Sequence, residues 1–369
     1  MGSTVSCCPW KICLTDYDLL LIGAGHAHLG VLRRWALIER PPGRIALLNA
    51  SPMAWYAGKI PSMLAGRTSV ADAQIDLQSL CRAAKVDLIV NPLQSLSAAQ
   101  QQVQLADGRT LRGRWLSLNV GGACKVPEHA GDAMQVQGIK PFDAFVSTWQ
   151  HWQADPKPLA ILGAGVAGTE LAFALVGRVP QLTLMCSGHL LERQSPALRL
   201  RALGQLRLRG VHVREDCPVT RIEQTQLFSE KECVWNGTRL LLANGVNALP
   251  WPAQGGLGCD DRGFVLVAPT LQSYTHPPIF AVGDCASLSG VRKNAASAIE
   301  QAAVLTANLN AALRGLPLKQ YVPTRHRLML LDTGDGSGMF DWRGYTAQGS
   351  MFGRWRALRD EAFVRRHRL

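Results

Sequence analysis

The chain has 369 residues, a length that suits two or three domains. Hydrophobic residues at 47% and charged residues at 18% exclude a disordered, collagen-like or coiled-coil chain. A net charge of +12 favours polyanionic partners, from nucleic acid and anionic lipid to phosphate-bearing cofactors, without choosing among them.

Residues 1–15 read as a leader. Met1-Gly2-Ser3-Thr4-Val5-Ser6 fits the N-myristoylation pattern, with Cys7 and Cys8 as palmitoylation candidates, against the plainer reading of a disordered tail. No run there joins basic residues, an apolar stretch and a cleavage site, so the chain is expected inside the cell, with the inner membrane face as a candidate station. The apolar run Tyr17 to Ile22 then reads as a strand, Gly23-Ala24-Gly25 as a turn, the stretch around Leu29, Leu32 and Leu37 as a helix, and Arg44 to Leu48 as a second buried strand. That order opens a doubly wound dinucleotide-binding domain. Val103 to Leu105, Asp107-Gly108 and Leu111 to Leu118 suit a hairpin capping it.

The same grammar restarts after Pro156 and Pro158, which end a tryptophan-bearing helix. Leu159 to Leu162 is a strand, Gly163-Ala164-Gly165-Val166-Ala167-Gly168 a turn, a helix runs to Val176, and Leu182 to Met185 is a strand. The stretch from Pro158 to Gly177 is apolar, but its glycines and Glu170 argue against a transmembrane helix. A Gly- and Pro-rich crossing from Pro250 to Gly258 leads to a further buried strand at Pro278 to Val282 and a helix from Asn294 to Leu313. The reading is an α/β fold with two Rossmann-like units. Residues 16–125 and 253–316 form a discontinuous FAD-binding domain, 126–252 an inserted NAD(P)-binding domain, and 317–369 a basic appendage.

Glycine at a strand-to-helix turn lets the backbone approach a pyrophosphate closely, and the unpaired helix amides favour its charge. Gly163, Gly165 and Gly168 make the complete triplet. Gly23 and Gly25 make a partial one, with His28 where the third glycine would stand. Phosphate contact or simple packing both suit His26 and His28. Gly283-Asp284 arrives at the carboxyl end of a buried strand, where ligands bind in open α/β sheets. Asn49 takes the ribose-binding place at the end of the first unit's second strand. The second unit has Cys186-Ser187-Gly188-His189 there and no acid, so Ser187, His189 and Arg193 are candidates for a 2′-phosphate, and NADH and NADPH stay open.

These three ordered motifs, with Thr270, resemble the pyridine nucleotide-disulfide oxidoreductase superfamily over Tyr17 to Leu316. Gly25-His26-Ala27-His28, Trp55 to Pro61, Lys140-Pro141 and Asn308-Leu309 are most similar to FAD flavoproteins related to type II NADH dehydrogenases, especially the module fused to selenide, water dikinase. The resemblance implies FAD and NAD(P)H as cofactors, Asp284 on the ribityl and phosphate part of FAD, and electron flow from nicotinamide through flavin to a second acceptor, commonly a quinone. It also implies a Lys59 to Glu170 ion pair near flavin N5 as the catalytic group, with Lys59 contacting the cofactor. The alternative is a flavin-bearing binding or redox-sensor protein with a degenerate nicotinamide site.

The ten cysteines contain no C-x-x-C, and Trp55 to Pro61 lacks the cysteine pair of the disulfide relatives, so a redox-active disulfide is not expected. Cys124 and Cys285 read as buried small residues. No residue cluster suggests a metal. Ser350 to Leu369 holds six arginines against two acids. Met351, Trp355, Leu358 and Ala362 form a stripe that suits an anionic membrane surface, with packing on the chain's own domain as the rival. Nucleic acid is not expected, since nothing aromatic interleaves with the charge elsewhere.

Overall fold

A computed structural model describes residues 14–324 and 327–369. The lipidation pattern at Gly2, Cys7 and Cys8 lies outside the described residues. The α/β architecture expected from the sequence is the one observed, with one mixed and one parallel sheet, each containing a strand that leads through a glycine turn into a helix.

The first sheet is built on strand Leu14–Ile22, paired in parallel with Ile45–Asn49 on one side and Thr110–Leu118 on the other. Leu19, Leu20 and Leu21 are fully buried, as a strand covered on both faces requires. Helix His26–Leu37 turns Ala27, Leu29, Leu32 and Trp35 into a core shared with Leu305 and Leu309 of helix Ala295–Arg314. Strand Ile279–Ala281 pairs with Thr110–Leu118, so residues on both sides of the second unit share one sheet. The hairpin reading of residues 103–118 was half of the matter. Gln102–Leu105 does pair antiparallel with Thr110–Leu118, but the latter also runs beside the first strand at the middle of the sheet.

The second sheet has five parallel strands in the order Gln135–Gly138, Arg239–Leu242, Leu159–Leu162, Leu182–Met185, His212–Arg214. Its apolar stretch from Pro158 onward divides into strand Leu159–Leu162 and helix Val166–Leu175. Among the described residues no helix is long and apolar enough to cross a membrane.

The appendage carries a three-stranded antiparallel sheet (Met329–Asp332, Gly338–Trp342, Tyr345–Gly349) and the helix Ser350–His367. It is docked rather than separate. Leu331 and Met339 are buried with Leu171 and Phe173 of the second unit, and Val364 with Leu29 and Leu32 of the first.

Candidate active site

Gly23 adopts φ +85°, and a Cβ there would meet the Asn119 carbonyl oxygen at 2.7 Å, so the turn requires glycine. Asn119, delivered by the end of strand Thr110–Leu118, seals the turn from below. Its Oδ1 accepts from the Ala27 and His28 N–H groups at 3.0 and 3.2 Å, and its Nδ2 donates to the Val282 carbonyl at 3.0 Å. Asn49 braces the same turn, accepting from Ala24 N–H at 3.0 Å and donating to the Ser51 carbonyl at 2.7 Å. The sequence marked Asn49 and missed Asn119, whose only signal was its place after a buried strand.

His28 points into the protein. It is fully buried, with Nδ1 2.6 Å from the Gly23 carbonyl and Nε2 2.8 Å from Ser117 Oγ, so both ring nitrogens are occupied within the protein. Burial lowers its pKa to about 4, and the neutral ring acts as a strut where a third glycine would stand. His26, one residue into the turn, packs edge-on to Tyr56 with ring centroids 5.6 Å apart and lies 5.7 Å from the Phe363 ring.

Asp284 follows strand Ile279–Ala281 in a tight turn, where Gly283 N–H donates to Gln301 Oε1 at 2.7 Å. Asp284 Oδ2 accepts from Lys140 Nζ at 2.6 Å. Asp284 Oδ1 and His26 Nε2 are buried without a hydrogen-bond partner. A buried polar group is ordinarily satisfied, so these two atoms mark a place for a polar ligand group. The residues present therefore fit FAD, with Asp284, His26 and the first turn to hold it. Cys285 beside them is buried, its thiol pKa pushed up to about 11 by burial, and bonded to the Val282 carbonyl at 3.2 Å, the state of an inert structural thiol. All the described cysteines are free.

In the second unit a Cβ at Gly168 would run into the Gly163 carbonyl, while one at Gly165 would meet open space. Helix and strand therefore pack closely while the turn's outer face stays clear. Two carboxylates stand beside this strand end, at the exit of the neighbouring strand. Glu215 and Asp216 follow His212–Arg214 and lie 3.7 and 3.6 Å from His189 Nδ1. His189 thus faces two carboxylates.

The expected Lys59 to Glu170 pair is not formed. Lys59, buried at the end of a short turn of helix, pairs with Glu361. Glu170, buried on helix Val166–Leu175, accepts from Asp332 N–H at 2.9 Å and lies 3.3 Å from Arg356 Nη1. All three new partners, Glu361, Asp332 and Arg356, come from residues 317–369, whose packing no local pattern announced. Arg356 also donates to Asp360 at 2.7 Å and to the Leu330 carbonyl at 2.6 Å, and Asp360 accepts from the Tyr56 hydroxyl at 2.8 Å. Burial raises the Glu170 pKa to about 7, partly offset by Arg356. Nor does Glu170 cap its own helix, since it reaches out to the appendage.

The family model described as pyridine nucleotide-disulphide oxidoreductase matches residues 17–302. The chain belongs to that family. Members of this oxidoreductase family bind FAD and use NAD(P)H. Mercuric reductase of Shigella flexneri is 25% identical over 252 residues, 63% of this chain and 44% of that protein. Ferroptosis suppressor protein 1 of Xenopus laevis is 28% identical over 206 residues, 51% and 54% of the two chains. The chain thus spans about half the length of these curated relatives. The sulfide:quinone oxidoreductase of Aquifex aeolicus shares the fold at 16% identity, with a TM-score of 0.79 over 96% of this chain and 92% of its own.

Proposed function

We propose that this protein is an FAD-dependent NAD(P)H oxidoreductase that passes electrons to a second, small acceptor, with a quinone as the favoured acceptor. The observation that carries this reading is the meeting of two glycine turns, Asp284 and the buried Glu170 in one molecule of this family. FAD, when bound, accepts hydride from reduced nicotinamide and gives up the electrons again, while the protein supplies orientation and charge. Asp284 and the first turn hold the cofactor, and the open turn around Gly165 receives the nicotinamide dinucleotide. Glu170 is fixed through Oε1 by Asp332 N–H and Arg356, and Oε2 makes no hydrogen bond within the described residues. With a pKa near 7, Oε2 can hold or release a proton as the acceptor is reduced. Lys59 keeps a cation at the same junction. The fold likeness to sulfide:quinone oxidoreductase supports a quinone acceptor.

The exposed side of helix Ser350–His367 supports an anionic lipid surface as the station of this activity. Met351 and Leu358 are 67% and 69% exposed, and Trp355 is exposed between them. Arginines flank these apolar side chains.

Anaerobic titration of the flavin absorbance with NADH and NADPH, followed by addition of a quinone, tests the reading. Bleaching by one nicotinamide and recovery with quinone is expected. A bound flavin that neither nicotinamide bleaches favours the sensor alternative, and a protein that binds no FAD overturns both.

A further inference from the structure

The two glycine turns differ in what their amides do. In the second turn no acceptor within the described residues engages the N–H groups of Val166, Ala167 and Gly168, the first residues of the helix. In the first turn nearly every amide is already satisfied. Gly23 N–H goes to the Leu48 carbonyl, Ala24 to Asn49, Gly25 to the Asn119 carbonyl, and Ala27 and His28 to Asn119 Oδ1, which leaves His26 N–H alone without a partner. A turn sealed in this way has lost most of the donors that ordinarily face a pyrophosphate. Asp284 adds a negative charge at the same place. Positive charge must therefore come from a side chain.

Two ammonium groups are near. Lys293 is committed, bonded to the Ala286 carbonyl and seated 3.7 Å over the Phe264 ring. Lys140 follows strand Gln135–Gly138 of the second unit, and its one partner among the described residues is Asp284, at 2.6 Å. Its side chain is 26% exposed, and it acts through space on half-buried His26 together with Asp284. Lys140, His26 and Asp284 thus form one cluster, in which two buried polar atoms have no partner.

We propose that Lys140 is a cofactor-positioning residue, whose ammonium, held by Asp284, supplies against the FAD pyrophosphate the positive charge that the sealed first turn lacks. This deepens the flavin reading above and rests on it. The second unit then takes part in holding a cofactor that belongs to the first. The rival role is a strut between the two units that never meets the cofactor.

The test uses apoprotein of the full chain, with FAD binding followed by quenching of flavin fluorescence and the apoprotein melting temperature as the structural control. Lys140→Gln keeps a donor for Asp284 and removes the charge, so it should fold like the wild type. It is expected to weaken FAD binding about tenfold or more, as loss of one charge-assisted contact implies, while Lys140→Arg stays within about threefold of wild type. The wild-type affinity should also fall more steeply with salt than that of Lys140→Gln, because a screened charge pair has been removed from the variant. Binding by Lys140→Gln within about threefold of wild type, a loss that arginine does not restore, or equal salt slopes would each overturn the proposal. Wild-type apoprotein that takes up no FAD would instead overturn the flavin reading itself.

Discussion

Arg356→Leu tests the buried charge network most directly. The guanidinium is 12% exposed and stands between Glu170, 8% exposed, and Asp360, 5% exposed. Removing it leaves two buried carboxylates without their cation and the Leu330 carbonyl without its donor. Breaking a buried pair from one side costs ~3–5 kcal/mol, because the remaining charge stays desolvated. The cost depends on pH in a definite sense. Both acids already have pKa values raised by burial, Glu170 to about 7, and both should rise further without Arg356. A raised carboxyl favours the folded state while it is protonated, so the variant's deficit is full above the folded pKa and shrinks as pH falls toward the unfolded values of about 4. Melting of the FAD-loaded protein at about pH 8 and about pH 5.5 should therefore show a large deficit at the higher pH and a small one at the lower. A deficit below about 1 kcal/mol, the range of exposed pairs, or one equal at both pH values, would refute the reasoning.

Glu170→Gln should slow flavin reduction or reoxidation by about tenfold or more and remove the limb near neutral pH from the rate profile, and an unchanged profile in stopped-flow absorbance would dismiss Glu170 as a proton holder. His28, neutral in the fold with a pKa lowered to about 4, contributes stability that is present above its unfolded pKa and is lost as pH falls toward 4. His28→Gln should therefore melt with less change across that window, while a wild-type-like acid sensitivity would place the cause elsewhere. Replacing Met351 and Leu358 together by serine should weaken co-sedimentation with phosphatidylserine vesicles at low salt without lowering the melting temperature, since these two side chains are 67% and 69% exposed. Retained binding would move the lipid contact to another surface.

The glycine turns, their strands and Asp284 were legible because each is a local pattern, apolar run followed by glycine followed by helix. What escaped was long-range or ran against the usual period. Lys59 and Glu170 stand out in the sequence, but their partners Glu361 and Arg356 lie 302 and 186 positions away and carry no motif. Helix Ser350–His367 is inverted relative to ordinary amphipathic logic. Arg356, Asp360, Val364 and His367 face inward, and Met351, Trp355 and Leu358 face out, so hydrophobic periodicity pointed at the wrong face for packing. His28 looked like a departure from the cofactor pattern because sequence cannot show that Ser117 and the Gly23 carbonyl flank its ring. The carboxylates nearest His189, Glu215 and Asp216, follow the adjacent strand, so the residues around Cys186 do not announce them.

The docked helix also bears on the order in which the molecule is made. A ribosome finishes both glycine turns and the whole of the second sheet before it reaches Arg356, Asp360 and Glu361. Until then Lys59 and Glu170 lack the groups that neutralise them, and Tyr56 lacks its acceptor. The two dinucleotide units can thus take shape during synthesis while their shared junction stays open, and the junction closes only when residues 350–367 have emerged and settled.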